Sequence, residues 1–152
     1  MEILRIFPEE IQTAIETEIR DVDSIQEIRL RNNRKLIIKE SQREIKLPLT
    51  ITMSDIRKIL EYVSRYSIYA YEDELKQGYI TIEGGHRIGI CGKIVMDTST
   101  LSIKNINYIS SINIRVAMEH KGIADYVLPA IIDGDNVCHT LIISPPYCGK
   151  TT

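Results

Sequence analysis

Ser144-Pro145-Pro146-Tyr147-Cys148-Gly149-Lys150-Thr151-Thr152 is the stretch of this 152-residue chain whose residue types and spacing point most directly to chemistry. It follows the apolar run Val137 to Ile143 and resembles a Walker A loop, G-x-x-x-x-G-K-[ST], in which an apolar strand feeds a loop that opens a helix. In such a loop successive backbone N–H groups turn inward and cradle phosphate oxygens. Lys150 would reach the outer phosphates. The Thr151 hydroxyl would ligate Mg²⁺, and the new helix N-terminus would add partial positive charge. The cofactors implied are ATP and Mg²⁺. Two positions depart from the pattern. Ser144 stands where the first glycine belongs, and Tyr147 takes the fourth position, often glycine. A positive φ at Tyr147 would cost about 1–3 kcal/mol, and its ring would crowd the phosphate path. The helix that should follow Lys150 is missing from the 152 residues, as is a Walker B acid. The chain alone is therefore expected not to hydrolyse ATP.

A second cluster is Gly84-Gly85-His86-Arg87. Arg87, or Arg115 further on, could lie on one sheet face and contact phosphate or a neighbouring subunit, because a guanidinium fork bonds two oxygens at once. The competing and stronger expectation is a hairpin with solvated strand charges, since alternating charge is normal on a half-exposed sheet. Arg29, Arg31, Arg34 and Lys35 form a local basic patch, but no aromatic residue lies between Glu27 and Glu40 to stack a base. A solvated strand face is the expectation there, with a nucleic-acid-binding module as the lesser alternative. Tyr62, Tyr66 and Tyr69 sit at helical spacing and read as core edge. His86, His120 and His139 are scattered and match no metal spacing. Cys91, Cys138 and Cys148 are odd in number and hold no CxxC pair, which fits a reducing compartment better than a disulfide framework.

The elements that would position these residues follow from periodicity. Pro8 to Asp21 reads as a helix with Ile11, Ile15 and Ile19 on one stripe. Short strands are expected at 24–30, 35–39 and 44–47, with Pro48 closing that region. Thr52 and Asp55 have the spacing of a capping box, ahead of the helical period of Ile56, Ile59, Leu60 and Val63. Ser67-Ile68-Tyr69 should bend or break the helix before a second piece that Gly78 ends. Tyr79 to Glu83 and His86 to Val95 alternate around a tight Gly84-Gly85 turn, with Ile88, Ile90 and Ile94 on one face. Ile112, Ile114 and Val116 alternate again. A helix is expected at 123–132 and a buried strand at 137–143.

Composition sets the outer limits. Apolar residues make up 43% and charged residues 26%, so the chain is that of an ordinary globular domain. A net charge of −2 argues against a general grip on nucleic acid. No apolar run approaches the ~18 residues of a membrane span, and Met1-Glu2-Ile3-Leu4-Arg5 lacks the features of a signal peptide. The 29 isoleucines, against one phenylalanine and no tryptophan, suit strands and helix cores alike and so indicate mixed α and β.

Several segments together are identified with one family. They are Glu27-Ile28-Arg29-Leu30-Arg31, Ser67-Ile68-Tyr69-Ala70, Gly78-Tyr79-Ile80-Thr81-Ile82, Gly84-Gly85-His86-Arg87-Ile88-Gly89 and Cys91-Gly92-Lys93. Ile109 to Ala117 and Gly122-Ile123-Ala124-Asp125 follow, ahead of the loop. In that order they resemble the N-terminal part of the stage III sporulation AA family of ATPases, whose loop reads GPPGCGKTT. The resemblance covers nearly the whole chain. It implies an α+β fold at residues 1–118, with N-terminal helices packed on a mostly antiparallel sheet. It also implies that residues 119–152 are the first helix, strand and P-loop of a RecA-like α/β core, truncated after Walker A and similar to type II and type IV secretion ATPases. The family's catalytic residues lie beyond Thr152, so no catalytic residue is expected within this chain. Implied partners are other subunits of a homo-oligomeric, hexameric ring and a membrane-anchored sporulation complex of the mother cell–forespore channel. The implied location is cytoplasmic, on the mother-cell side, without membrane insertion or nucleic acid. A non-catalytic assembly module of the same complex is the alternative.

Overall fold

Isoleucine at every fourth position builds the first helix. α1 (Glu9–Glu18) forms on that period, with Ile11 and Ile15 buried and Ile19 buried just past its end. Pro8 is its N-cap, and Glu9 and Glu10 fill the first turn, where the helix dipole favours acids. The computed structural model describes residues 2–40, 43–64, 72–97, 99, 102–118, 122 and 124–145. A 3-10 turn, Glu2–Ile6, brings Ile3, Leu4 and Ile6 into the core beside Phe7. The capping box forms: the Asp55 N–H donates to Thr52 Oγ1 (3.3 Å) and the Thr52 N–H to Asp55 Oδ2 (2.8 Å). It opens α2 (Met53–Val63), which buries Ile56, Ile59, Leu60 and Val63. The expected break at Ser67-Ile68-Tyr69 lies outside the described residues, as do Tyr66 and Tyr69. α3 (Glu72–Gln77) follows, and Gly78 after it has φ +81.

The strands are β1 (Ile25–Arg31), β2 (Arg34–Glu40), β3 (Arg43–Ile51), β4 (Tyr79–Thr81), β5 (Arg87–Asp97) and β6 (Ser102–Arg115). They make one sheet in the order β3-β2-β1-β6-β5-β4, with every pairing antiparallel. Two three-stranded meanders thus join where β6 pairs β1. The register lines up Ile38, Ile28, Ile114, Ile88 and Ile80 in one row across the sheet. These residues and the apolar stripes of α1 and α2 form a single buried cluster. The architecture is α+β, with helices on one face of the sheet.

Several expectations need correction. Pro48 does not end the third strand, since β3 runs on to Ile51. It can do so because β3 is the sheet edge, and Pro48 falls between Lys46 and Thr50 where the register shifts, so its missing N–H costs no ladder bond. The Gly84-Gly85 turn is a 3-10 turn over Glu83–Gly85, with both glycines at positive φ. β6 is far longer than Ile112–Val116 and is interrupted opposite Gly92, near Tyr108 at φ +49. Ile94 keeps the parity of Ile88 and Ile90 but is 51% exposed, because β5 and β6 extend beyond β4. Tyr62 is 49% exposed rather than packed at a core edge.

The chain divides into two compact units, Met1–Ala117 and Met118–Thr152. In the second, α4 (Leu128–Ile131) is one turn long, and β7 (Ile132–Asp133) pairs β8 (Asn136–Val137) around Gly134. Of the longer helix expected over 123–132, the described residues 124–127 are turn and not helix. Pro129 has no N–H and its ring excludes a helical carbonyl four residues earlier, so it belongs in a first turn. The buried strand expected at 137–143 is also absent. Val137 ends the short hairpin, and Leu141 and Ile143 are 82% and 83% exposed. The described residues of this unit form one helical turn and a two-stranded hairpin.

Candidate functional site

The face of the sheet away from the helices is polar, and alternation decides which residues reach it. On β1, Ile28 and Leu30 are buried, so Glu27, Arg29 and Arg31 point the other way. The register then sets Arg115 directly opposite Glu27 on one side and Arg87 on the other. The sequence singles out Arg87 and Arg115 separately, and the sheet makes them cross-strand neighbours. Two like charges in that position repel.

Glu27 would be the natural counter-charge for Arg115, but its bonds go elsewhere. Arg29 donates to it twice, from Nε (2.8 Å) and from Nη2 (3.0 Å), and from Nη1 to Glu44 (2.8 Å). The Arg29 hydrogen bond is the main reason the Glu27 carboxyl titrates below its ordinary value; burial opposes it, and a hydrogen bond from Asn113 adds to the lowering. The same bond holds the Arg29 guanidinium above its ordinary value. Among the described residues neither Arg87 nor Arg115 is in an ion pair. Arg87 stacks over the Tyr79 ring, 4.6 Å from its centroid. The turn that carries Arg87 is tied to the end of β6, because the Ala117 N–H donates to His86 Nδ1 (3.0 Å).

The arrangement is chemically simple: two arginines paired across neighbouring strands on an open face, one stacked on a ring, with the facing carboxylate of Glu27 already engaged. It fits an oxyanion with several oxygens, such as a phosphate. The parity of each strand is readable from the sequence, whereas the register is not. Tyr79, Asn113 and the diversion of Glu27 become visible only with strand order.

A family model described as "Sporulation stage III, protein AA" matches residues 1–152. The stage III sporulation protein AA of Bacillus subtilis (strain 168) is 38% identical over 153 residues, which cover 99% of this chain. This chain belongs to the sporulation stage III AA family. It spans 48% of the length of that Bacillus relative. The solved VirB11 ATPase of the Brucella suis type IV secretion system, in complex with sulphate, is 13% identical with a TM-score of 0.42. That match covers 89% of this chain and 39% of the other, and a likeness so weak says nothing about activity.

In this sporulation stage III AA protein the phosphate-loop candidates are only partly described. Ser144 is half-buried, with its hydroxyl donating to the Pro145 carbonyl (3.2 Å), and Pro145 is exposed. Pro146, Tyr147, Cys148, Gly149, Lys150, Thr151 and Thr152 lie outside the described residues. Among the described residues no helix is long and apolar enough to cross a membrane.

Proposed function

We propose that this chain is the N-terminal part of a secretion-type sporulation ATPase that powers or assembles the mother cell–forespore channel. In this reading the loop from Ser144 to Thr152 holds nucleotide, with Lys150 on the outer phosphates and Thr151 on Mg²⁺. Arg87 and Arg115 contact phosphate, or a neighbouring subunit, from the open sheet face. The working form is a homo-oligomeric ring on the cytoplasmic side of a membrane-anchored complex. This chain alone binds nucleotide weakly and does not turn it over.

The observation that carries the reading is the Arg87–Arg115 pair, two adjacent cations with no ion-pair partner among the described residues, in a member of a sporulation family. Like charges set opposite one another on a sheet repel slightly, and a bound anion would relieve that repulsion. The test is ATP binding and hydrolysis by the protein at the full length of its relative. Lys150→Ala should abolish turnover, and Arg115→Ala should lower it about tenfold or more, as expected for a lost charge-stabilising donor. Unchanged turnover and oligomerisation in Arg115→Ala would end the role given to the pair. Turnover by the 152-residue chain that disappears with Lys150→Ala would end the view that it is inactive alone.

The self-contained unit Met1–Ala117 supports a second reading, a non-catalytic assembly module. Light scattering on this chain, alone and with the cytoplasmic part of a membrane partner, separates the two. A strict monomer that binds nothing rules against the module.

A further inference from the structure

Gly89 is a glycine that the sheet does not require. Its φ is outside the left-handed region, and a Cβ added to it would meet nothing closer than the Asn113 carbonyl oxygen at 3.6 Å, an ordinary contact. Gly92 is different. A Cβ there would fall 2.9 Å from the Asn107 carbonyl oxygen and 3.0 Å from Ile109 Cα, so the irregular pairing beside it excludes any side chain. A glycine inside a strand weakens it, and close approach by a ligand or another backbone is one of the uses that offset the loss.

What approaches Gly89 comes from the open face. Gly89 has the parity of Arg87 and Cys91, and it pairs with Tyr79 on one side and Asn113 on the other. Gly89 lies in the floor of a half-open concavity of about 400 Å³ whose lining also includes Arg29, Arg31, Cys91, Ser111 and Asn113. That volume is within the range of small-molecule sites. Arg31 is exposed and in no ion pair among the described residues. Arg29 is held in place by Glu27 and Glu44 and still has N–H groups to offer. The Glu27 carboxylate is engaged by Arg29 and Asn113, so its charge is already partly answered.

We propose that this depression seats the phosphate group of a small phosphorylated molecule over the bare backbone of Gly89. Arg31 and Arg29 grip it, and the Ser111 hydroxyl and Asn113 amide are further donors. Its lining does not include Arg87 or Arg115, which pair in the next row along the same face, and the proposal does not depend on the nucleotide role proposed for them.

Cys91 reports on occupancy, because it is exposed and in the lining, while Cys138 is exposed in the other unit and serves as an internal control. The experiment follows alkylation of each thiol by peptide mass spectrometry on the full chain, with pyrophosphate and, separately, citrate as probes. Pyrophosphate should slow Cys91 about fivefold or more at saturation and leave Cys138 unchanged, with citrate weaker, because a terminal phosphate offers two guanidinium groups three oxygens where a carboxylate offers two. Arg31→Gln should remove the protection. Gly89→Val should remove it while raising the thermal midpoint, since valine is the better strand residue. Arg87→Gln combined with Arg115→Gln should weaken it less than Arg31→Gln alone does. The seat is overturned if pyrophosphate fails to protect Cys91, protects only Cys148, or is matched by citrate. It is equally overturned if protection survives Arg31→Gln, or is lost in the Arg87, Arg115 double variant, which would mean the pair or a diffuse field binds the probe. A lower midpoint in Gly89→Val would show that the sheet needs the glycine after all.

Discussion

On β1, Ile28 and Leu30 are fully buried, while Arg29 and Arg31, one residue away on the same strand, remain within reach of water. The same alternation holds on β5 and β6, where Ile88 and Ile114 pack under the helices and Arg87 and Arg115 face outward. The covered face is held by volume: its isoleucines are buried and meet across four cross-strand pairings. The open face is held by charge, and unevenly. Arg29 is tied to two carboxylates, whereas Arg87 and Arg115 repel one another. One face is thus committed to stability, and part of the other tolerates a small instability that an anion would relieve.

The largest expected effect tests the covered face. Ile114→Ala should cost about 3–4 kcal/mol in urea unfolding, because it leaves a cavity in the middle of the apolar row. A cost below about 1 kcal/mol would mean the row collapses freely and volume does not govern that face.

Glu40 is the exception that sharpens the contrast. It has the parity of Leu36 and Ile38, lies buried at the rim of the covered face, and receives a 2.6 Å bond from Arg43 Nε. Arg43→Ala should therefore cost about 2 kcal/mol, far more than an exposed arginine normally does, because a buried acceptor loses its partner. The double variant Glu40→Gln, Arg43→Ala should recover part of that loss.

Next is the cover itself. Thr52→Ala removes half of the capping box on α2 and should cost about 1 kcal/mol. Circular dichroism melting of the two proteins checks it.

On the open face the effects are smaller and depend on pH. Arg29 holds the Glu27 carboxyl below its ordinary 4.5, so the folded state gives up this proton more readily than the unfolded chain. The resulting stability is fully present above pH 4.5 and fades as pH falls through the lower, folded-state value. The midpoint difference between wild type and Glu27→Gln should shrink on acidification through that window. A difference that stays constant down to low pH would remove the ion pair as its cause. The smallest change is expected for Arg115→Gln, within about 0.5 kcal/mol and on the stabilising side, because it relieves a like-charge pair. A clear destabilisation would mean that Arg115 holds the sheet together rather than waiting for an anion.

Much of the covered face is legible in the sequence. The four-residue period of Ile11, Ile15 and Ile19, the Thr52–Asp55 spacing and the alternation around Ile28 and Ile114 are local signals, and local signals survive folding when tertiary contacts agree with them. Where the fold departs from the sequence pattern, the cause is not local. The run at 137–143 has the composition of a buried strand, yet Leu141 and Ile143 stand in water. A strand is defined by the neighbours that complete its ladder, and apolar residues alone do not supply them. Pro48 reads as a stop, and only its place on the sheet edge allows β3 to continue.

The candidate site divides in the same way. By itself the sequence determined which residues share a face of each strand, since parity is fixed by the two-residue repeat of an extended backbone. It also carried the family's segments in order. Only the tertiary structure decided that β6 lies between β1 and β5. That order set Arg115 beside Arg87, gave Glu27 to Arg29 and Asn113, and put Gly89 in one row with Asn113 and Arg29. The pairings that bring these residues together join segments far apart in the chain, and their register follows from packing the whole apolar row at once, which no local window of sequence contains.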